Sequence, residues 1–284
     1  MVGPDARPHG PRPMTWGPMT TLRIALLQSS GRLGDLERNL REIAQTASNA
    51  AAAGASLLIC PELFLTGYAI GDDVRVLAEA ADGPSAQRVA AIAAESGIAI
   101  AYGYPERAAS GEIHNSAQLI GPDGQAAANY RKTHLFGDFE RAVFTPGADP
   151  VVQAELSGLR IGMVICYDVE FPETVRAHAL AGTDLLVVPT AQMRPFEFVC
   201  HTVIPARAFE SQLYLAYVNR HGPEGEYEFV GLSCLAGPDG ITRARAGLGR
   251  ELLIADLDPD LLRASRAANP YLRDRRPELY TALA

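Results

Sequence analysis

Three runs of the chain are apolar without a break, and this feature constrains the fold more than any other. Residues 57–60, 161–165 and 185–188 read LLIC, IGMVI and LLVV. An alternating pattern is typical of a strand with one wet face, whereas a short unbroken run is typical of a strand covered on both faces. Parallel strands need crossover connections, which helices usually supply. The chain is therefore predicted to contain buried parallel strands flanked by helices.

The segments between these runs carry helix signals. Apolar residues recur on one stripe over residues 35–53, and Gly54 ends that pattern. The segment 84–97 begins with Pro and ends with Gly, which is the usual order at helix ends. Further helices are predicted over about 172–181 and, at greater length, over about 195–210.

Strands are predicted on either side of these helices, in two comparable blocks. The predicted strands are 22–28, 56–62, 98–105, the two halves of 115–132, 160–166, 183–191, and segments near 213–219, 229–235 and 251–257. No internal repeat or interdomain linker separates the blocks. The pattern favours a single-domain α/β fold with four layers, an αββα sandwich.

Charge and hydropathy exclude several classes of function. The formal net charge is −8, and Lys and Arg form no stripe or cluster, so the chain lacks the basic surface that binds nucleic acid or an anionic membrane. No run approaches the roughly 18 to 20 apolar residues of a membrane span. A small neutral or cationic molecule is the expected partner.

The N-terminus and the cysteines bear on the compartment. Residues 1–20 are rich in Pro and Gly and lack the apolar centre of a secretory signal, so we interpret them as a flexible extension, with Met19 as an alternative start. The domain is then residues 21–284. The four cysteines show no CxxC or Cys/His spacing for zinc, and reduced thiols are the default in an unexported chain. A cytoplasmic location is expected.

Three polar residues stand at or near predicted strand ends. Glu62 follows LLICP, Lys132 follows AAANYR, and Cys166 follows GMVI. Ligands of α/β sheets gather at such ends. Each residue also has an ordinary explanation, because a Cys after an apolar strand is most often a small core residue and Lys or Glu is most often solvated. A Cys-His dyad with His134 is a further possibility on the residues alone.

Several motifs are more specific together than any residue alone. CPELFLTGY, YRKTHLF and ICYDVEFPE occur in this order, and PARAFESQLYLAYVNR and FVGLSCLAGPDG follow them. From about residue 22 to 280 the chain resembles the nitrilase superfamily of carbon-nitrogen hydrolases. The resemblance implies an αββα fold, homodimers or higher homo-oligomers, and neither a metal nor an organic cofactor.

The resemblance also implies a Glu-Lys-Cys triad, which falls on Glu62, Lys132 and Cys166, and a second glutamate, Glu140. Cys166 is expected to attack the carbonyl carbon and form a thioester, with Glu62 as general base. Lys132 and the backbone N–H of Tyr167 are expected to hold the oxyanion. Glu140 is expected to orient Lys132 and the substrate nitrogen.

Within the superfamily the chain is most similar to amidases of short ω-amino amides, the branch that includes 5-aminopentanamidase and an R-stereoselective amidase. PELFLTGYAIG, LAEAADGP, AYGYPER, NYRKTHLFG and FTPGAD carry this similarity. The expected reaction is hydrolysis of a short aliphatic primary amide, including an ω-amino amide, to the carboxylic acid and ammonia. An ammonium group needs a carboxylate partner, and the candidates are Asp138, Asp168, Glu170 and Glu226.

Four residues are predicted to bind substrate: Tyr68, Asp168, Thr190 and Gln192. Thr190 and Gln192 replace the Asn-Trp-like residues expected in other branches, which counts against nitrile and carbamoyl substrates. Two alternatives stay open. The chain could be a nitrilase or an N-carbamoyl amide hydrolase that uses the same triad, or a non-catalytic scaffold member of the family.

Overall fold

Two six-stranded sheets pack against each other in the computed structural model, which describes residues 21–281. The predicted flexible extension 1–20 lies outside the described residues. The strands, β1 to β14 in chain order, are Leu22–Gln28, Leu57–Ile59, Ala99–Arg107, Ile113–Ile120, Ala126–Arg131, Val152–Leu156, Leu159–Met163, Leu185–Thr190, Tyr214–Asn219, His221–Glu224, Tyr227–Val230, Cys234–Ala236, Thr242–Arg245 and Glu251–Leu257. The helices, α1 to α8, are Leu36–Ala52, Val74–Leu77, Pro84–Ser96, Gly137–Val143, Pro172–Leu180, Ile204–Ser211, Pro259–Ala268 and Tyr271–Asp274.

The two sheets have the same plan. Their strand orders are β14-β1-β2-β3-β4-β5 and β13-β12-β9-β8-β7-β6. In each sheet three central strands are parallel, β1, β2 and β3 in the first and β7, β8 and β9 in the second, and the outer pairings are antiparallel. β10 and β11 form a separate hairpin. The parallel strands expected from the unbroken apolar runs are therefore confirmed.

The side chains of β1 show why these strands must be apolar on both faces. Ile24 and Leu26 belong to the core between the two sheets, whereas Ala25 and Leu27 pack in the core beneath α1 and α3. Each fully buried Leu or Ile contributes about 1.5–3 kcal/mol relative to an exposed one. α5 and α6 pack on the second sheet. Val175 of α5 and Ala208 of α6 belong to the same apolar cluster as the strands of that sheet. The predicted four-layer αββα arrangement is confirmed.

The ends of two helices follow the predicted signals. The Asp35 side chain accepts a hydrogen bond from Arg38 N at 3.0 Å and so caps α1. Pro84 occupies the first turn of α3, and Gly97 ends that helix in the left-handed conformation at φ 67°.

The helix predicted over about 195–210 is present as a helical run that begins at residue 197, but it is not regular. A π-helical turn, Val199–Val203, precedes α6, and Pro205 lies in the first turn of α6. Proline has no N–H, which removes an α-type hydrogen bond at that point.

The predicted strand 229–235 is divided in the structure, because Gly231 and Leu232 have φ of 65° and 60° and break the extended backbone.

The predicted thiol strand 160–166 ends early. β7 stops at Met163, and a 3₁₀ helix, Cys166–Glu170, begins after Val164 and Ile165. Further 3₁₀ segments are Gly71–Asp73 and Pro277–Leu279.

Within residues 21–281, no helix is both long and apolar enough to span a bilayer.

Candidate active site

Strands from both sheets end around one cavity of about 260 Å³. β2 leads to Glu62 and β5 leads to Lys132; β5 runs parallel to β2, since each of the two pairings from β3 to β5 reverses direction. β7 leads to Cys166 from the second sheet. The cavity is lined by Tyr68, Phe136, Cys166, Tyr167, Glu170, Ala191, Gln192, Met193 and Phe196.

Lys132 is the centre of a buried charge cluster next to this cavity. Its Nζ donates to Glu62 Oε1 and to Glu140 Oε1, both at 2.7 Å, and none of the three side chains is exposed. An ammonium group has three N–H donors. These two bonds therefore leave one N–H of Lys132 for another acceptor.

The Glu62 carboxylate has one occupied oxygen and one open oxygen. Oε1 also accepts from Asn115 Nδ2 at 2.7 Å, whereas the buried Oε2 has no hydrogen-bond partner within residues 21–281. The backbone of Glu62 is held close to Gly103 of β3, because a Cβ at position 103 would lie only 2.4 Å from Leu63 N. The open oxygen is thus fixed in place and able to accept a proton.

Glu140 is held at both carboxylate oxygens. Besides the bond from Lys132, Oε1 accepts from the Tyr68 hydroxyl at 2.8 Å, and Oε2 accepts from Phe136 N at 2.8 Å. A carboxylate with all of these partners is positioned rather than free to take part in proton transfer. Glu140 therefore fixes Lys132 and connects it to the cavity wall at Tyr68.

Burial and charge shift the pKa values of the cluster. Burial raises the pKa of Glu62, and the charge of Glu140 adds to that effect, while Lys132 opposes it. Burial lowers the pKa of Lys132, but the charges of Glu140 and Glu62 outweigh it, so its pKa lies well above the usual value. Lys132 is therefore a permanent cation, and Glu62 is a stronger base than an ordinary carboxylate.

Cys166 enters the cavity from the opposite sheet. It is 8% exposed and has φ 47°, a left-handed conformation that a residue with a Cβ rarely adopts. Burial raises the pKa of its thiol well above the usual value, and the charge of Glu62 adds to this, whereas Lys132, the Thr190 hydroxyl and a backbone hydrogen bond with Ala191 act against it. Burial is the largest of these influences, so the net direction favours the neutral thiol over a resting thiolate.

A neutral thiol must lose its proton during attack, which requires a base. Glu62 is a carboxylate close enough to raise the pKa of Cys166. The backbone N–H of Tyr167 lies next to the sulfur in sequence, in the second position of the 3₁₀ helix Cys166–Glu170. The first N–H groups of a helix have no partner inside it. That N–H therefore lacks a partner within the helix, and Tyr167 is one of the residues that line the cavity.

The four predicted substrate-binding residues divide into two pairs. Tyr68 and Gln192 line the cavity. Thr190 does not, because it is fully buried and its hydroxyl donates to Tyr217 OH at 3.1 Å. Tyr217 OH in turn donates to Gln192 Oε1 at 2.9 Å. Thr190 thus lies behind the cavity wall and supports Gln192 through Tyr217.

The prediction that Asp168 binds substrate is corrected. Its buried carboxylate accepts hydrogen bonds from Tyr130 OH, from Thr133 Oγ1, from the backbone N–H groups of His134 and Ile165, and contacts His134 Nδ1, at 2.8–3.0 Å. With these partners, Asp168 ties the Lys132 loop to the strand end before Cys166. His134 is occupied by this contact and stacks on Phe171 at 4.1 Å, and it does not line the cavity with Cys166.

Two residues that sequence reasoning did not single out join the sheets. Arg220 follows β9 and is fully buried; its Nη1 donates to the Glu62 carbonyl oxygen at 3.1 Å, and its Nη2 contacts Glu224. Glu224 Oε1 accepts from Tyr68 N at 2.6 Å and Ala69 N at 2.8 Å. The pair therefore holds the loop that carries Glu62 and Tyr68 against the second sheet. In the sequence, the only indication of this pair was Asn219-Arg220 at the end of a strand-like run.

The described residues contain no group of three His, Cys, Asp or Glu side chains that could hold a metal ion. The site instead combines a neutral thiol, a carboxylate with an open oxygen and a buried ammonium. A thiol beside a base and a cation can attack a carbonyl carbon and stabilise the resulting oxyanion. The fold and the site together define a hydrolase of the thiol-dependent class.

Comparison with known proteins identifies the family. The family model described as carbon-nitrogen hydrolase matches residues 23–267. The protein described as "Hydrolase in pqqF 5'region" from Pseudomonas protegens is 52% identical over 93% of this chain and 92% of its own length. The (R)-stereoselective amidase of a Pseudomonas species is 36% identical over 90% of this chain and 92% of its own length. The chain belongs to the carbon-nitrogen hydrolase family, and the resemblance to the nitrilase superfamily is confirmed.

A solved structure agrees in fold. The amidase from Nesterenkonia sp. superposes with a TM-score of 0.84 at 36% identity and covers 93% of this chain and 96% of its own chain. Mutants of that amidase have been solved in complex with acrylamide and butyramide, and with the acetamide moiety of fluoroacetamide covalently added at the active-site cysteine.

Proposed function

We propose that the protein is an amidase that hydrolyses short aliphatic primary amides, including ω-amino amides, to the carboxylic acid and ammonia through a thioester on Cys166. The observation that carries this proposal is the position of Cys166 in a cavity of about 260 Å³, beside a carboxylate with an open oxygen. Pockets for drug-sized ligands measure about 300–1,000 Å³. A small acyl group suits this cavity better than a large one.

In the first half of the proposed reaction, Glu62 Oε2 takes the thiol proton as Cys166 Sγ bonds to the carbonyl carbon. The carbonyl π electrons move to oxygen, and the remaining N–H of Lys132 and the N–H of Tyr167 stabilise that oxyanion. The carbon–nitrogen bond then breaks, and Glu62 returns the proton to the departing ammonia. A thioester is left on Cys166.

In the second half, a water molecule attacks the thioester carbon while Glu62 takes one of its protons. The same two donors stabilise the second oxyanion, the carbon–sulfur bond breaks, and the sulfur regains a proton from Glu62. The carboxylic acid leaves. One carboxylate thus serves both halves, which suits a Glu62 whose Oε1 is fixed by Lys132 and Asn115 while Oε2 stays open.

The small amides bound by the Nesterenkonia amidase support the choice of substrate size. A direct test compares ammonia release from pentanamide, pentanenitrile and the N-carbamoyl derivative of butylamine, which offer one carbon skeleton with three reacting groups. We expect turnover of the amide to exceed the other two. Faster turnover of the nitrile or the carbamoyl compound would replace amidase by one of these activities.

The intermediate is tested by rapid acid quench of the enzyme with pentanamide, followed by intact and peptide mass measurement. We expect an added acyl mass on the peptide that contains Cys166 and none on the Cys60 or Cys234 peptides. Ammonia release without an adduct at Cys166 under quench conditions that preserve thioesters would overturn the proposed intermediate. Absence of both turnover and adduct on every amide tested would favour a scaffold role.

Assembly and location are part of the same proposal. The protein forms homodimers or higher homo-oligomers through the C-terminal segment that follows α7, where Tyr271, Leu279 and Tyr280 are exposed. All four cysteines are free, which suits a reducing cytoplasm. Light scattering of the full chain and of a chain that ends at residue 268 tests the assembly: an equal number of subunits in the two proteins would exclude this segment as the interface.

A further inference from the structure

We infer that Glu170 selects the substrate of the proposed amidase by charge: its carboxylate receives the terminal ammonium of an ω-amino amide whose carbonyl carbon lies at Cys166. The inference rests on the proposed function and goes beyond it, because it assigns the second end of the substrate to one residue. It also predicts which amides are excluded.

The composition of the cavity wall is the first support. Of the nine residues that line it, Glu170 is the one with a carboxylate, and Lys, Arg and His are absent from this lining within the described chain. The other walls are mainly aromatic or aliphatic, from Phe136, Phe196 and Met193. A cationic group finds one partner in such a cavity, whereas an anionic group finds none and would face Glu170.

The second support is that Glu170 carries an unpaired, half-buried charge. Within residues 21–281, no hydrogen bond or ion pair involves its carboxylate, although its backbone oxygen accepts from Arg207 Nη2 at 2.7 Å. Arg207 is paired with Glu210 at 2.9 Å. Burial raises the pKa of Glu170, against the weaker opposing charges of Lys132 and Arg207. A ligand ammonium would supply the missing partner.

The other acidic candidates for this role lie elsewhere. Asp138 is fully exposed and 3.5 Å from Arg141. Asp168 is saturated by hydrogen bonds to the neighbouring loops. Glu226 lines a separate groove beside Phe139 on the outer side of Tyr68. Glu170 is therefore the acidic candidate that shares a cavity with Cys166.

The backbone spacing within the 3₁₀ helix Cys166–Glu170 gives a length scale for the substrate. Four residues at a rise of about 2 Å place the two positions about 8 Å apart along the helix. In extended 5-aminopentanamide, five bonds of about 1.5 Å in a zigzag place the amine nitrogen about 6 Å from the carbonyl carbon. A charge-assisted hydrogen bond adds about 2.8 Å. An amide with about four methylene groups matches this length scale and is therefore the substrate chosen for the test.

The test compares two substrates of the same shape and two variants of the same charge change. The substrates are 5-aminopentanamide and hexanamide, in which a methyl group replaces the ammonium group. The variants are Glu170→Gln and Glu173→Gln, because Glu173 is an exposed carboxylate three residues further on. Steady-state ammonia release gives kcat and KM for each combination at neutral pH.

We expect Glu170→Gln to lower kcat/KM for 5-aminopentanamide about 10- to 100-fold, mainly through KM, because a charge-assisted hydrogen bond is lost. The value for hexanamide should stay within about threefold, and Glu173→Gln should change neither by more than about twofold. Adipic acid monoamide, which carries a terminal carboxylate, should be a poor substrate of the wild type and improve in Glu170→Gln.

An equal effect of Glu170→Gln on both amides, or no effect on either, would overturn the assignment of Glu170 while leaving the amidase intact. Failure of the wild type to hydrolyse any of the three amides would instead overturn the proposed function. Circular dichroism and thermal unfolding of Glu170→Gln separate loss of recognition from loss of fold, since hexanamide turnover must persist in a folded variant.

Discussion

In each sheet a cysteine follows a central strand, and only one of these two cysteines meets the cavity. Cys60 follows β2 in the first sheet, and Cys166 follows β7 in the second. Cys60 is 0% exposed and packs in the core beneath α1 and α3, where burial raises the pKa of its thiol. Cys166 is 8% exposed and faces Glu62 and Lys132, which the first sheet supplies.

The difference shows that the end of a strand positions a thiol, whereas the residues of the facing sheet determine its reactivity. The first sheet contributes the open oxygen of Glu62 and the cation of Lys132. The second sheet contributes the sulfur and the N–H of Tyr167. Neither sheet holds a complete site. The Arg220 contacts with the Glu62 loop are therefore important, because they fix one half relative to the other.

The largest expected effect comes from replacing each of the two cysteines by alanine in turn. Cys166→Ala should lower kcat/KM by at least about 10⁴-fold, because the nucleophile is lost. Cys60→Ala should retain activity and lower the free energy of unfolding by about 1 kcal/mol, because a small buried side chain is shortened. Ammonia release and urea unfolding measure both. Substantial activity in Cys166→Ala, or loss of activity in a folded Cys60→Ala, would invert the comparison.

The next effect concerns the cation of the first sheet. Lys132→Met should lower kcat about 10²–10³-fold, because one oxyanion donor is removed. It should also lower the free energy of unfolding by about 3–5 kcal/mol, because Glu62 and Glu140 remain buried without their partner. Arg131→Met is the matched control, since Arg131 is half-exposed and pairs with Glu106 instead. Unchanged kcat in Lys132→Met would remove Lys132 from the oxyanion role.

The apolar strands were predictable because their composition depends only on burial. The runs at 57–60, 161–165 and 185–188 became the central strands β2, β7 and β8. The places where prediction was wrong have specific backbone causes. Left-handed φ at Gly231 and Leu232 divided one predicted strand, and such a conformation is not encoded by a Leu.

The site was predictable where a residue stands at a strand end and not where it depends on contacts between distant segments. Glu62, Lys132 and Cys166 are brought together as their motifs implied. Asp168 looked equally suitable in sequence, but its hydrogen bonds with Tyr130 and the His134 loop keep it out of the cavity. A contact made 38 residues away leaves no periodic signal in the chain.

A smaller effect is expected from Asn115, which fixes Glu62 within the first sheet. Asn115→Leu removes the hydrogen bond to Glu62 Oε1, a bond that lowers the pKa of Glu62. The pKa of Glu62 should therefore rise, the acid limb of the kcat/KM profile should move to higher pH, and kcat should fall about tenfold. The matched control is Gln118→Leu in the same strand, because Gln118 bonds Tyr102 and Ala81 away from the cavity.

A pH profile of Asn115→Leu that overlies the wild-type profile, or an equal shift in Gln118→Leu, would show that Asn115 does not tune the base. The measurement is kcat/KM for pentanamide across the acid range. Thermal unfolding of both variants shows whether they lose similar amounts of stability, so that the pH shift is compared between equally folded proteins.

The last expected effect is on stability rather than on rate, and it belongs to the second sheet. His178 on α5 lies against Gly162 of β7, where a Cβ would be 2.5 Å from Nδ1, and burial lowers the pKa of His178 from 6.5 to about 4. Since the unfolded chain then binds the proton more readily, the free energy of unfolding should fall as pH drops from about 6.5 to 4, by up to ~3 kcal/mol. Urea unfolding of His178→Gln should lack this component, because glutamine does not titrate, and parallel pH dependences of the two proteins would exclude it.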